Sequence, residues 1–283
     1  DWGLPPWRPD RLAATGYEPL RSLLRAVFGY AGALRIDHVM GLFRLWWIPE
    51  ARRPRRARTS RTTARRCSRS SCWRRTAGAL VIGEDLGTVE PHVRRELARR
   101  GVLGTSVLWF ERDWDGGGGP LEPGEWRADC LATVTTHDLP PTAAKLAGGH
   151  VELRDRLGLL TRPAERERAE DAADTAEWLA LLDGLGLDTK GEEAAVQALY
   201  AFLLRTPARM VGLWLPDAVG DRRPQNLPGT WDQYPNWRLP VADGAGRPLS
   251  LEDLMASPRA NALLSAVREA EGPRTAPPGA RGV

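Results

Sequence analysis

No apolar run in this chain approaches the roughly 20 residues needed to span a bilayer. No secretory leader opens it either, so the reading is of a cytoplasmic protein with no membrane partner. An initiating Met is also absent, and the opening "DWGLPPW" predicts a sequence that continues upstream. Cysteine is sparse. Cys67, Cys72 and Cys130 make no disulfide framework and have no zinc spacing, which suits a reducing compartment. Phe and Tyr are scarce at 4 each, and the aromatic content is carried by 12 Trp. Flat indole faces suit the apolar faces of sugar rings, although any single Trp more often serves packing.

Residues 51–79, "ARRPRRARTSRTTARRCSRSSCWRRTAGA", lack Asp, Glu and Lys, and no Ile, Leu or Val occurs between Glu50 and Leu80. They hold 11 Arg, and setting these aside turns the net charge from +4 to −7. The body is mildly acidic with one strongly basic insert. Such a stretch admits a nucleic-acid reading, which predicts a steep salt dependence of binding that deletion of 51–79 abolishes. Against it, a segment without aliphatic residues cannot bury a face. Its Arg/Ser/Thr/Pro/Ala/Cys/Trp vocabulary is what GC-rich codons yield when read out of frame. A pair of compensating frameshifts is the reading preferred here.

What is present is enough for a core: 42% of 283 residues are hydrophobic, a length normal for one α/β barrel. Residues 10–30 have helical spacing. Residues 32–37 then read as a buried strand and 78–84 as a second, ending in acid. A short helix follows over 90–101, closed by Gly101. Strands are predicted at 102–110, 130–138 and 208–220, helices across 163–206 and at 257–272, and a disordered tail at 273–283. This alternation argues for a parallel sheet, and the continuous apolar strands argue for cover on both faces.

The predicted strands repeatedly end in acid: Asp37, Glu84, Asp138 and Asp217. In a (β/α) barrel those ends face the active site. One isolated Asp is more often a helix cap or half of an ion pair; four in one order argue for a site. A buried carboxylate is costly unless compensated. Arg35 and Asp37 are two apart on one strand and share a face, and a guanidinium there favours the ionised carboxylate that a nucleophile needs. Glu84, with Ile82 on its own face and Asp85 beyond, has the surroundings of a general acid. One acid kept charged and one kept protonated, about 5–5.5 Å apart, make a retaining glycosidase. Asp138, after His137, is a third carboxylate able to grip sugar hydroxyls.

These residues stand in longer motifs: "DWGLPPW" (1–7), "GALRIDHVMGLFRLWWIP" (32–49), "VIGEDLGTV" (81–89), "GVLGTSVLWFER" (101–112), "TTHDLP" (135–140) and "NLPGTWDQYPNWR" (226–238). In content, order and spacing they resemble the 4-α-glucanotransferases of glycoside hydrolase family 77, the amylomaltases or disproportionating enzymes. The resemblance covers nearly the whole chain except 51–79, where that family has a glycine-tyrosine turn and an amphipathic helix. It implies a (β/α)8 barrel of which this chain carries about strands four to eight, as one partial catalytic domain over 1–272. It implies that Asp37 is the nucleophile, Glu84 the general acid/base and Asp138 the carboxylate that binds the sugar at the cleavage point. Arg35 and His137 would hold that sugar, Trp2 would lie in a loop over the acceptor side, and Asn226, at the start of the family's closing signature beyond the last strand, would bind substrate. The implied substrates are malto-oligosaccharides and starch- or glycogen-derived α-1,4-glucans, with no metal or organic cofactor. Ala144, Lys145 and Leu146 stand where family members are more aromatic, which implies different sugar contacts near Asp138. An α-amylase-type hydrolase would share the three acids, and an inactive fragment would keep the motifs without activity; oligomeric state is left open.

Overall fold

The apolar runs form strands and the amphipathic stretches form helices, most of them shorter than their sequence patterns. The computed structural model describes residues 5–47, 58–61 and 79–271. The readings made for Trp2, for the tail 273–283 and for most of 51–79 lie outside the described residues. In chain order the elements are α1 (Pro9–Ala14), α2 (Glu18–Phe28), β1 (Ala33–Ile36), a 3-10 turn (Val39–Leu42), β2 (Arg44–Trp47), β3 (Arg58–Arg61), β4 (Leu80–Gly83), α3 (Pro91–Ala98), β5 (Gly104–Val107) and β6 (Cys130–Thr133). They continue with α4 (Thr142–Leu146), α5 (Gly149–Arg156), α6 (Ala164–Gly184), α7 (Glu192–Arg205), β7 (Met210–Gly212), α8 (Leu215–Val219), α9 (Leu251–Ala256) and α10 (Pro258–Glu271). The class is α/β. None of the described helices is long and apolar enough to cross a membrane. The chain divides into two compact units, one reaching Thr105 and including Asp129–Leu131, the other made of Ser106–Ala128 and the residues from Ala132 on.

In the first unit β1 and β4 pair in parallel, from Ala33↔Leu80 to Ile36↔Gly83. The parallel order continues at Leu103, which bridges Ile82. β4 is buried, as its apolar run predicts, whereas β1 alternates between exposed and half-buried residues. Among the described residues β1 is hydrogen-bonded to β4 alone. Val39, Val81, Val93, Leu97 and Val102 make the core, with α3 laid against the sheet through Val93 and Leu97. β2 and β3 pair antiparallel, so a short strand lies inside the Arg-rich segment. The single helical pattern over 10–30 resolves into α1 and α2. The break comes where Gly16 and Tyr17 both take left-handed backbone angles, and the Tyr17 N–H then closes α1 on the Leu12 carbonyl at 2.8 Å.

The second unit buries Trp109, Trp126, Trp178 and Phe202 together. Trp178 meets Trp109 and Phe202 edge-on at 6.2 and 5.7 Å, and Trp126 meets Phe202 in the same way. Leu182 on α6 and Leu199, Tyr200 and Leu203 on α7 complete this core. The strand expected over 130–138 stops at Thr133, and Asp138 lies in the following turn, which leads into Pro140 and Pro141. The strand expected over 208–220 is likewise corrected to the three residues of β7. Pro216 cannot donate to a sheet ladder but fits the first turn of a helix, and α8 begins there.

Candidate active site

β1 and β4 end in register at Ile36 and Gly83, so Asp37 and Glu84 leave neighbouring strands side by side. The Glu84 N–H donates to the Ile36 carbonyl at 2.9 Å, and the Val39 N–H donates to the Glu84 carbonyl at 3.0 Å. Between them His38 takes a left-handed conformation, φ 45° and ψ 52°. That turn aims the His38 N–H at Glu84 Oε2, 2.9 Å away, while the Leu86 N–H donates to Oε1 at 2.6 Å. Glu84 is buried and held by two backbone amides.

Asp37 lies between two cationic or potentially cationic groups. Arg35 Nη1 is 2.7 Å from Oδ1, and His38 Nδ1 is 3.0 Å from Oδ2. Its side chain is half-exposed rather than buried. An oxygen of Asp37, an oxygen of Glu84 and a ring nitrogen of His38 all lie within 4.8 Å of one another. Among the described residues this is the one trio spaced to hold a cation. A close carboxylate pair of this kind suits double displacement, where about 5–5.5 Å separates the two groups. Asp85 does not act on Glu84 as a bare like charge. It is buried, accepts the Thr105 N–H at 2.9 Å and faces Arg94 Nε at 3.4 Å.

In the second unit the turn after β6 carries His137 and Asp138. Asn226 Nδ2 donates to Asp138 Oδ1 at 2.6 Å, and His137 Nε2 is 3.4 Å from Oδ2. The Asn226 N–H also donates to the His137 carbonyl at 3.2 Å. The loop that delivers Asn226 is braced internally. The Leu227 N–H donates to Asn236 Oδ1 at 2.7 Å, Asn236 Nδ2 to Thr230 Oγ1 at 2.8 Å and the Tyr234 hydroxyl to the Pro224 carbonyl at 2.8 Å. Burial pushes the Tyr234 hydroxyl up to about 12, so it stays a donor. The ring of Trp237 lies 5.2 Å from that of His137.

Asp217 is not a strand-end acid. It is fully buried in α8, accepts the Thr142 N–H at 2.8 Å and the Tyr200 hydroxyl at 2.8 Å, and also takes the Thr142 hydroxyl. Burial raises it to about 6 against three donated hydrogen bonds. Its work is to fix the start of α4, four residues past Asp138. Lys145, one of the three residues standing where the family is more aromatic, is turned to Asp171 and Asp174 of α6.

The structure thus brings Arg35, Asp37 and Glu84 together in one unit and His137, Asp138 and Asn226 together in the other. Sequence reading passed over His38, whose only signal is its place directly after a strand-end acid, and Trp237, quoted within a motif but not singled out.

A family model described as 4-alpha-glucanotransferase matches residues 1–244. The 4-alpha-glucanotransferase of Mycobacterium tuberculosis is 53% identical over 281 residues, covering 95% of this chain and 38% of that protein. The Haemophilus influenzae 4-alpha-glucanotransferase is 30% identical over 258 residues, covering 84% and 35%. Among solved structures, amylomaltase from Corynebacterium glutamicum superposes with a TM-score of 0.87 at 40% identity, over 96% of this chain and 40% of that one. Amylomaltase from Streptococcus agalactiae, solved in complex with acarbose, shares the fold at TM-score 0.63 and 19% identity, over 94% and 46%. The chain therefore spans less than half the length of the relatives it matches.

Proposed function

The chain belongs to the 4-alpha-glucanotransferases of glycoside hydrolase family 77, and from that membership we propose that it carries the catalytic end of a retaining glucan transferase. The observation that carries the proposal is the Asp37–Glu84 pair, two carboxylates within 4.8 Å on adjacent parallel strand ends. Asp37, steadied by Arg35 and His38, attacks the anomeric carbon. Glu84 gives its proton to the departing 4-oxygen, so a covalent glucosyl-enzyme forms and a reducing fragment leaves. The 4-hydroxyl of a second glucan then attacks the same carbon, Glu84 takes its proton, and Asp37 is released. Asp138 is assigned the third role, binding hydroxyls of the sugar at the cleavage point. The contacts it receives from Asn226 and His137 support a carboxylate held in one orientation. Arg35, His137, Asn226 and Trp2 are proposed to bind substrate.

The proposed substrates are malto-oligosaccharides and longer α-1,4-glucans, in the cytoplasm, with no cofactor. The proposed architecture is a (β/α)8 barrel of which these residues supply about strands four to eight, one domain over 1–272. The parallel β1–β4 order and the superposition on the Corynebacterium amylomaltase support it.

Incubation of the chain with maltotriose tests the activity. A ladder of longer glucans together with glucose is expected, and Asp37→Asn is expected to remove it by about 10³-fold or more. Shorter products alone would replace the transferase by a hydrolase, and no product at all would leave an inactive fragment.

A further inference from the structure

Three non-glycine residues among those described have left-handed backbones: Tyr17, His38 and Trp237. Such residues carry strain that the surroundings must impose, and they cluster at functional sites. Tyr17 is explained by packing, since it is buried and its N–H closes α1. His38 is explained by the N–H it gives Glu84. Trp237 is not buried as Tyr17 is, and its N–H goes to a loop carbonyl rather than to an acid. It has φ 61°, and 63% of it is exposed, so burying the indole cannot be what holds it there. What the conformation achieves is placement. The Trp237 N–H donates to the Gln225 carbonyl at 2.8 Å, next to Asn226, and the indole is laid against the His137 ring at 5.2 Å and 43°. One braced loop therefore reaches both members of the 137–138 pair. Asn226 takes one oxygen of Asp138, and Trp237 meets at a tilt the imidazole whose Nε2 lies 3.4 Å from the other oxygen.

We propose that Trp237 is a positioning residue, which fixes the ring plane of His137 and through it the orientation of the Asp138 carboxylate. The proposal rests on the reading of His137 and Asp138 as parts of the transferase site. It also accounts for a tryptophan where the backbone angle favours glycine, because only a large flat side chain can span from that turn to the imidazole.

The test separates ring from backbone in the full chain. Trp237→Gly keeps the left-handed angle without strain and removes the ring; Trp237→Ala removes the ring and keeps the strain; Trp237→Phe keeps a ring. Two readouts are taken: transfer kinetics on maltotriose, and the His137 ring resonance in a proton–carbon correlation spectrum, assigned with His137→Gln. Trp237→Gly and Trp237→Ala are expected to move the His137 resonance and to lower kcat about tenfold or more with KM within about threefold. Trp237→Phe is expected to restore most of kcat, and Trp237→Gly to melt no lower than the parent. An unmoved His137 resonance in Trp237→Gly overturns the proposal. So does a raised KM with unchanged kcat, which would make the indole a sugar contact instead. If the parent chain transfers no glucan, the functional reading fails by itself, and the resonance alone still decides whether Trp237 holds His137.

Discussion

Asp37 and Asp217 show how little an acid's identity says about its role. Both follow an apolar run. Asp37 is half-exposed and meets a guanidinium and an imidazole; Asp217 is fully buried and meets two hydroxyls and an amide. The environments give Asp217 a measurable signature. Its folded-state value near 6 lies above the ordinary 3.8, so between about pH 4 and 6 the native state keeps a proton that the unfolded chain has released. Stability from this group is full below about pH 4 and is lost as pH rises through 6. Relative to Asp217→Asn, the parent is expected to lose about 2 kcal/mol between pH 4 and 7, read by urea denaturation across that range. A flat difference would mean that the three donors cancel the burial. The residue types of both sites were legible in the sequence. That Asp217 is structural was not, because its partners Thr142 and Tyr200 are 75 and 17 positions away.

At the scale of elements, the Asp37–Glu84 pair depends on how closely β4 approaches the turn after β1. A Cβ on Gly83 would lie 2.8 Å from Val39 Cγ1 and 3.0 Å from its Cβ, and Val39 is completely buried. Gly83→Ala is therefore expected to destabilise by about 1–3 kcal/mol. Adding Val39→Ala should return part of that, so that the double variant costs less than the two single costs together. An additive pair would show that the strand end does not press on Val39. In the second unit, buried Arg112 ties its own turn to α6. It donates to the Gly118 carbonyl at 2.8 Å, meets Glu177 at 2.6 Å and also meets Asp174. Arg112→Met keeps the stem and removes the fork, and because both acids are partly open to water the expected loss is about 1–3 kcal/mol in thermal unfolding. Helix and strand types were readable from spacing. Their ends were not, since Gly16–Tyr17 and Pro216 cut patterns that periodicity alone would carry further.

For the whole molecule, the motifs in their order identified the family, and the one stretch without them, 51–79, stood out by what it lacks. Re-reading the gene across that stretch in the other two frames is expected to return a glycine-tyrosine turn and an amphipathic helix; finding neither in either frame would mean the Arg-rich segment is native. β3 forms within it by backbone pairing with β2, which any non-proline sequence can supply. By itself the sequence determined the alternation of strand and helix, the family, and the acids at two adjacent strand ends, because periodicity and motifs are properties of neighbouring residues. Only the tertiary structure decided which acid is buried as a brace, that His38 serves both Asp37 and Glu84, and that Asn226 and Trp237 reach the His137–Asp138 turn. Those outcomes depend on burial and on donors up to 88 residues apart, and no local pattern encodes such distances.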